Sequence, residues 1–270
     1  MDFWQALILG LVEGLTEYLP VSSTGHLLIA QRLLGIAPGE AANAYAIAIQ
    51  AGAIVAVLGL YRKRVQQMGS GVLGNDPTGL RLAGCVAVAF VPAAVLGLAF
   101  DEAIEEYLFG PWPIVSAWIV GGVIILLVSG YLKRGGARQD LEQLGYRTAL
   151  LIGLAQCAAL WPGTSRSFAT IVGGVLAGLS LPAAVEFSFL LGLLTLGAAT
   201  AYKALQHGSL MLEAYGIGPV VAGFFAAWLS AVLAVRWMVG WLGKHGMGLF
   251  GYWRIAAGLI VGYLAFSGAL

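Results

Sequence analysis

Long apolar stretches dominate the pattern of hydrophobic and polar positions along the chain. A helix rises about 1.5 Å per residue, so about 20 apolar residues are needed to cross the roughly 30 Å hydrocarbon core of a bilayer. Six stretches meet or approach that length, and we predict that each forms a transmembrane helix. They are residues 42–61, 82–100, 112–132, 182–202, 217–242 and 250–266.

Two further apolar regions are each interrupted by a polar, turn-forming segment. The first interruption is LPVSSTGH at residues 19–26, and the second is PGTSRS at residues 162–167. The apolar pieces beside them hold about 10 to 16 residues, which is too short for a span. We therefore predict two re-entrant helix-loop-helix hairpins. Non-helical backbone at that depth must be buried in protein or line a watery cavity, so both loops are candidate walls of a site.

The two interrupted regions also resemble each other. ALILGLVE at residues 6–13 aligns with ALLIGLAQ at residues 149–156, which indicates an internal repeat. A shift of one residue then aligns the two loops, pairing Pro20 with Pro162 and Ser23 with Ser165.

The repeat predicts how the whole chain is organised. Its halves would be approximately residues 1–132 and 143–270, each with one hairpin followed by three spans. An odd number of crossings would turn the second half upside down relative to the first. Inverted repeats usually place the ligand near the midplane, where broken helices from the two halves meet. We expect a single all-α integral membrane domain over residues 1–270 in which the two polar loops face each other.

Lys and Arg are clustered around three of the predicted loops, and short cytoplasmic loops are enriched in these residues. Placing the basic loops inside makes the six spans alternate without conflict and leaves both termini outside. The basic residues are Arg62, Lys63, Arg64, Arg81, Lys133, Arg134, Arg138, Arg147, Lys244 and Arg254. The intervening outer loops would hold Asp101, Glu102, Glu105 and Glu106, and Lys203 and Glu213.

Composition narrows the functional classes. Hydrophobic residues make up 60% and charged residues only 10% of the 270 positions, whereas a soluble domain usually carries about 25% charge. A soluble single-domain enzyme is therefore excluded. The formal net charge of +1 offers no basic surface to a nucleic-acid backbone, so we expect no nucleic-acid partner. Cys85 and Cys157 lie far apart in apolar runs, and we expect neither a disulfide nor a metal–thiolate site.

Three ionisable residues fall in the interrupted regions. Glu13 and Glu17 are four residues apart and share one face of a helix, and Arg166 lies in the second loop. Each charge at mid-bilayer costs about 2.5 to 3.5 kcal/mol on insertion scales, so all three need partners. We interpret them as functional, with a structural Glu-to-Arg clamp as the alternative. Glu186, one turn after Pro182, is instead interpreted as a structural residue at a helix start.

The two loops together predict a phosphate site. Each places hydroxyl groups just before a helix, where backbone N–H groups and the helix dipole favour an anion. The guanidinium of Arg166 can bind two phosphate oxygens as a fork. We assign the other polar positions of the loops to substrate binding: Ser22, Thr24, Gly25, Thr164, Ser165 and Ser167.

Phosphoryl transfer or hydrolysis is the reaction class that these residues suit. A carboxylate or His26 could take the proton of a serine hydroxyl, which would attack phosphorus while Arg166 stabilises the developing charge. Ser23 is the favoured nucleophile because it aligns with Ser165, and His26 would then be acid or base. The exchange of those two roles stays open. A secondary transporter or lipid flippase is the alternative function, because carriers also use inverted repeats and buried carboxylates.

EGLTEYLPVSSTGH at residues 13–26, together with PGTSRS at 162–167, resembles the two signature motifs of the bacterial undecaprenyl pyrophosphate phosphatase family, the integral-membrane type associated with bacitracin resistance. The resemblance covers essentially the whole chain, including EFSF at residues 186–189. It implies hydrolysis of undecaprenyl pyrophosphate to undecaprenyl phosphate and inorganic phosphate, which recycles the lipid carrier for cell-wall synthesis. The alternative then becomes a transporter or flippase for a polyprenyl phosphate.

The resemblance also implies a setting and a cofactor. The family's functional residues match Glu13, Glu17, Ser22, Ser23, His26, Ser165 and Arg166. A divalent cation, Mg²⁺ or Ca²⁺, would assist, with Glu13 and Glu17 as its ligands. The site would face the outer, periplasmic side of the bacterial cytoplasmic membrane, membrane lipids would be partners, and a homodimer stays open. Phe168 stands where similar sequences generally have glycine, which bears on how closely the second loop packs.

Overall fold

The computed structural model describes residues 1–37, 39–108, 110–135 and 139–268, and these residues form a helical bundle. The helices are α1 (Phe3–Thr16), α2 (Ser23–Leu33), α3 (Glu40–Leu60), α4 (Arg62–Val72), α5 (Pro77–Leu108), α6 (Pro111–Lys133), α7 (Tyr146–Gln156), α8 (Arg166–Leu176), α9 (Leu181–Tyr215), α10 (Ile217–His245) and α11 (Gly248–Phe266). Short 3₁₀ turns precede and follow α7, at Leu141–Gln143 and Cys157–Leu160.

Six of the helices in the described part of the chain are long and apolar enough to cross a bilayer. They are α3, α5, α6, α9, α10 and α11. The prediction of an all-helical protein with six spans is confirmed at this level. α4 is an additional polar helix after α3, which the apolar pattern does not reveal.

Two helices are longer than the spans predicted inside them. α5 continues through Asp101 to Leu108, and α9 continues through Lys203 to Tyr215. The prediction that these polar residues lie in loops is therefore wrong, because they are helical. Polar side chains do not by themselves end a helix. α9 ends only at Gly216, whose φ of 71° favours glycine. Arg138 and the side chains of Glu102, Glu105 and Glu106 lie outside what the structure describes.

Ion pairs at one end of the bundle join α4 to the second part of the chain. Arg64 donates from Nε to Glu186 at 2.8 Å and from Nη2 to Glu142 at 2.7 Å. These contacts place α4, the 3₁₀ turn before α7 and the first turns of α9 together. Glu186 therefore has a cation as its partner, which fits a structural role for this residue.

A second pair of contacts marks the opposite end. Lys203 Nζ lies 3.1 Å from Asp101 Oδ2, and His207 Nδ1 lies 3.8 Å from Glu40 Oε2. The last turns of α5 and α9 are therefore beside the start of α3. Spans that follow one another in the chain run in opposite directions between these two ends.

The two interrupted regions form helix-loop-helix hairpins that open at opposite ends of the bundle. Gln5 Nε2 donates to the Leu34 carbonyl at 3.0 Å, which joins the start of α1 to the end of α2, just before α3 begins at Glu40. In the second hairpin, the Gln139 N–H donates to the Gly178 carbonyl at 3.0 Å and joins the segment before α7 to the segment after α8. The loops at the two tips meet inside the bundle.

The starts of α2 and α8 share an unusual backbone conformation. α2 and α8 each have 11 residues, and the residue before each helix has a positive φ, 73° at Ser22 and 74° at Ser165. No other non-glycine residue in the described ranges has a positive φ. In backbone conformation, Ser22 therefore matches Ser165, and Ser23 matches Arg166 as the first residue of its helix. This match differs by one residue from the pairing that aligns the two prolines.

Candidate active site

A serine and a carboxylate of the first hairpin form the centre of the site. Ser23 is the first residue of α2, and Glu17 directly follows the end of α1. Ser23 Oγ donates a hydrogen bond to Glu17 Oε2 at 2.5 Å, and both side chains are buried. A buried hydroxyl that donates to a carboxylate is oriented for loss of its proton to that carboxylate.

Arg166 reaches this pair from the second hairpin. Its Nη2 lies 3.3 Å from Glu17 Oε1, and its Nη1 donates to the Ser188 carbonyl of α9 at 2.9 Å. The guanidinium also lies over the Tyr18 ring, 5.0 Å from the ring centroid. The buried Nε has no hydrogen-bond partner. A buried N–H without an acceptor is costly, so this donor is available to a ligand that can accept a hydrogen bond.

Glycine at position 192 makes room for that guanidinium. A Cβ built on Gly192 would overlap Arg166 Nη1. α9 can therefore approach α8 closely enough to offer the Ser188 carbonyl. The Arg166 side chain is fixed by a carboxylate on one side and by this helix on the other.

Glu13 lies one helical turn before Glu17 and is 1% exposed. Neither of its carboxylate oxygens has a hydrogen-bond partner. Hard carboxylate oxygens suit Mg²⁺ or Ca²⁺. Within the described residues no group of three or more His, Cys, Asp or Glu side chains is arranged to hold a metal. A cation here would need phosphate oxygens or water to complete its coordination.

His26 is held away from the Ser23–Glu17 hydrogen bond. Its Nδ1 lies 2.7 Å from the Ser22 carbonyl, and its Nε2 accepts a hydrogen bond from Trp253 Nε1 at 3.1 Å. Both ring nitrogens therefore have partners. This geometry favours Glu17 over His26 as the group that receives the serine proton.

The serines of the second loop are tied to the protein itself. Ser165 Oγ lies 2.9 Å from Ser167 Oγ and accepts from the Phe168 N–H at 3.2 Å. Ser167 Oγ donates to the Leu19 carbonyl of the first loop at 2.8 Å, which confirms that the two loops are in contact. These hydroxyls cap α8 and link the loops.

Two of the residues assigned to substrate binding have different surroundings. Thr24, next to Ser23, is exposed and is free of tight packing. A Cβ on Gly25 would overlap the Trp118 ring, so this glycine allows close packing against α6.

Arg254 lies in different surroundings from those that its sequence position predicts. It is fully buried, although it was expected beside an inner loop. The orientation rule counts an arginine near a span end as exposed, but Arg254, about two turns into α11, is buried in the bundle. Its guanidinium donates to four carbonyls that include both loops, at distances of 2.7 to 3.2 Å: Pro20, Ala117, Gly163 and Thr164.

Phe168 supports this arginine. Its ring centroid lies 4.7 Å from Arg254 Cζ, a distance at which a guanidinium is attracted to a ring face. The Phe168 side chain therefore packs against the buried cation. Arg254 and Phe168 together hold the two loops against each other.

The profile of the family described as "Bacitracin resistance protein BacA" matches residues 6–260, which include both loops and all six spans except the last turns of α11. The chain belongs to this family. The family expected from the two motifs is thereby confirmed.

Similar proteins match this BacA family member over nearly their whole length. The undecaprenyl-diphosphatase of Sorangium cellulosum is 46% identical over 268 residues, which cover 97% of this chain and 86% of the relative. Undecaprenyl-diphosphatase 2 of Rhodospirillum rubrum is 45% identical over 265 residues, covering 98% and 95%. Undecaprenyl-diphosphatase 1 of Chromobacterium violaceum is 45% identical over 258 residues, covering 96% and 94%.

In this BacA family member, Arg166 lies in the wall of a cavity of about 460 Å³. Arg166, Gln156 and Thr195 line its inner part, and Asp101 and Lys203 line the part near the Glu40 end of the bundle. Most of the other lining residues are apolar. Its wall includes the arginine whose Nε lacks a partner.

Two apolar cavities flank the loops from other sides. One, of about 460 Å³, is lined by residues of the first loop and of α10 and α11, including Leu19, Val21, Trp237 and Trp253. The other, of about 740 Å³, lies beside Trp161 and Phe168 of the second hairpin. Both are suited to hydrocarbon rather than to charged groups.

Proposed function

We propose that the protein is an integral-membrane undecaprenyl-diphosphatase, which hydrolyses undecaprenyl pyrophosphate to undecaprenyl phosphate and inorganic phosphate. One observation carries the assignment of the site. The Ser23 hydroxyl donates to Glu17, and the same carboxylate is paired with Arg166 from the opposite loop. A nucleophile, a base and a phosphate-binding cation thus meet at one point.

Ser23 attacks the terminal phosphorus of the substrate. Its Oγ forms a bond to phosphorus, the bond between that phosphorus and the bridging oxygen breaks, and undecaprenyl phosphate leaves with the electron pair. Glu17 receives the serine proton. Arg166 offers its Nε–H and the adjacent Nη–H to the phosphoryl oxygens, where negative charge develops.

A water molecule then completes the hydrolysis. Glu17, after passing its proton to the leaving phosphate or to water, takes a proton from the attacking water. The bond between Ser23 Oγ and phosphorus breaks, inorganic phosphate is released, and the serine regains its proton.

A divalent cation, Mg²⁺ or Ca²⁺, would be held by Glu13, with Glu17 nearby. The two unpartnered oxygens of the buried Glu13 carboxylate support this assignment. When bound, the cation neutralises charge on the pyrophosphate.

The setting we propose is the bacterial cytoplasmic membrane, with the two hairpins re-entrant and the halves related as an inverted repeat. The opposite openings of the hairpins and the matched helices α2 and α8 support this arrangement. The basic residues cluster at the Arg64 end, which favours the cytoplasm for that end. The cavity to Arg166 then opens toward the periplasmic side, near Asp101.

Phosphate release by purified protein in detergent tests this function. We expect release from undecaprenyl pyrophosphate by the wild type, none by Ser23→Ala, and weakened release by Ser22→Ala as the neighbouring control. Trapping of phosphate on His26 in the wild type would exchange the roles of His26 and Ser23. Movement of labelled polyprenyl phosphate across vesicles without any phosphate release would favour a transporter instead.

A further inference from the structure

Trp253 belongs to neither motif, yet it contacts the histidine of the first one. It precedes Arg254 on α11, and its indole Nε1 lies 3.1 Å from His26 Nε2. An indole N–H can only donate a hydrogen bond. His26 Nε2 must therefore be the acceptor and carry no proton.

This contact determines the tautomer of His26. A neutral imidazole carries its single proton on one nitrogen, and here that nitrogen is Nδ1. Nδ1 lies 2.7 Å from the Ser22 carbonyl and can donate to it. Trp118 packs on the ring of His26 at 4.8 Å, but the Trp118 N–H has no hydrogen-bond partner. Trp253 is thus the residue that supplies the donor.

A hydrogen bond to the Ser22 carbonyl can stabilise the backbone of Ser22, which is strained. Its φ of 73° and ψ of 100° are sparsely populated by residues other than glycine. Such a conformation persists only when its surroundings fix it. Ser22 directly precedes Ser23, so its backbone determines where the nucleophilic hydroxyl points.

We propose that Trp253 is a positioning residue that fixes His26 as the Nδ1–H tautomer, so that His26 holds the Ser22 carbonyl and keeps the Ser23 hydroxyl on Glu17. The inference rests on the proposed function, with Ser23 as nucleophile. Trp253 acts through two other residues and does not touch the reacting atoms.

Trp253→Phe is the variant that tests this role, because phenylalanine keeps an aromatic ring and lacks the N–H. We expect kcat for undecaprenyl pyrophosphate to fall about three- to tenfold, with KM unchanged, since one neutral hydrogen bond is lost. Trp237→Phe is the matched control. Trp237 lines the same apolar cavity and is 47% exposed against 53% for Trp253. Equal rates in the two variants would overturn the proposal.

Nitrogen NMR of ¹⁵N-histidine-labelled protein observes the tautomer directly. The chain has only three histidines, so His26→Asn assigns the signals of His26. We expect Nδ1 protonated and Nε2 unprotonated in the wild type, and a mixture of tautomers in Trp253→Phe. A wild-type His26 protonated at Nε2 would overturn the proposal whether or not the protein releases phosphate. Failure of the wild type to release phosphate would instead reject the proposed function.

A double variant separates positioning from packing. The side-chain amide in His26→Asn can donate to the Ser22 carbonyl without help from Trp253, so we expect it to be more active than His26→Ala. Adding Trp253→Phe to His26→Asn should then cause no further loss. A further three- to tenfold loss in that background would show that Trp253 acts through packing alone.

Discussion

At the residue scale, Glu17 is the side chain on which the two hairpins converge. One of its oxygens accepts from Ser23 and the other faces Arg166. The ion pair with Arg166 keeps the Glu17 carboxylate oriented. Among the described residues, Glu17 is the only carboxylate that accepts a hydrogen bond from the Ser23 hydroxyl. A positioned base of this kind contributes typically about 10²- to 10⁴-fold to a rate.

Glu17→Gln is expected to lower kcat by about 100-fold or more, because an amide oxygen can accept the Ser23 hydrogen bond but cannot take the proton. The kcat of the folded variant is measured by the release of phosphate. Glu186→Gln is the control, since Glu186 pairs with Arg64 at a partly exposed site and should matter much less. Turnover of Glu17→Gln within threefold of Glu186→Gln would remove Glu17 as the base.

Arg166→Lys is expected to cost about 2 to 4 kcal/mol of transition-state stabilisation, or about 30- to 1000-fold in rate. Lysine keeps the charge but loses the planar fork and the Nε–H that has no partner in the structure. Phosphate release and thermal unfolding should be measured on the same preparations. A fully active and stable lysine variant would mean that Arg166 is only a clamp for Glu17.

Glu13→Gln is expected to raise the concentration of Mg²⁺ or Ca²⁺ needed for half-maximal phosphate release by at least about tenfold, because a ligand charge is lost. The measurement is a cation titration against phosphate release. Glu186→Gln is the control, since Glu186 pairs with Arg64 away from the site, and it should leave the cation requirement unchanged. An equal cation requirement in wild type and Glu13→Gln would exclude Glu13 as a ligand.

Sequence reasoning found the charged residues of the site because a carboxylate or arginine within an apolar stretch needs a partner. It missed Arg254 because a charge within two turns of a helix end is indistinguishable from a loop-flanking one. The orientation of the His26 ring could not be predicted from the sequence for another reason. Its partner Trp253 is 227 residues away and carries no motif, so only the packed fold brings the two together.

At the element scale, small residues decide how closely the helices approach. α1 packs on α10, where a Cβ on Gly10 or Gly14 would overlap the α10 backbone. α9 approaches α8 through Gly192 in the same manner. Apolar length predicted the spans correctly. It could not predict the ends of α5 and α9, because a drop in hydropathy marks where a helix leaves the bilayer and not where the helix ends. α9 continues as a polar helix until Gly216 ends it.

Gly192→Ala is expected to lower kcat at least about tenfold in a protein that still folds, because the added methyl group displaces the Arg166 guanidinium from the Ser188 carbonyl and Glu17. Phosphate release and thermal unfolding are the measurements. Gly197→Ala, on the same helix with open space around it, should keep wild-type activity. Equal activity of the two variants would show that Arg166 tolerates displacement.

At the scale of the whole molecule, ion pairs show which segments lie together at each end of the bundle. Arg64 clasps Glu142 and Glu186 at one end, and its hydrogen bonds hold the pKa of the Glu142 carboxyl below its usual value. That carboxylate stays ionised above its lowered pKa, and the clasp is lost only as the pH falls through it. Residues from both halves of the chain meet in this clasp, so the segments around Arg64 and Glu142 must lie on one side of the membrane.

Labelling of single cysteines with a membrane-impermeant reagent tests this topology. In a background of Cys85→Ser and Cys157→Ser, we expect Gln66→Cys on α4 and Gln139→Cys before α7 to react only after the membrane is opened. Glu213→Cys, in the last turns of α9, should react in intact cells, because α9 runs from the Arg64 end to the Lys203 end. All three positions are exposed, so accessibility to the reagent reports the side of the membrane. Reaction of Gln66→Cys and Gln139→Cys from opposite sides would contradict both the shared clasp and the inverted repeat.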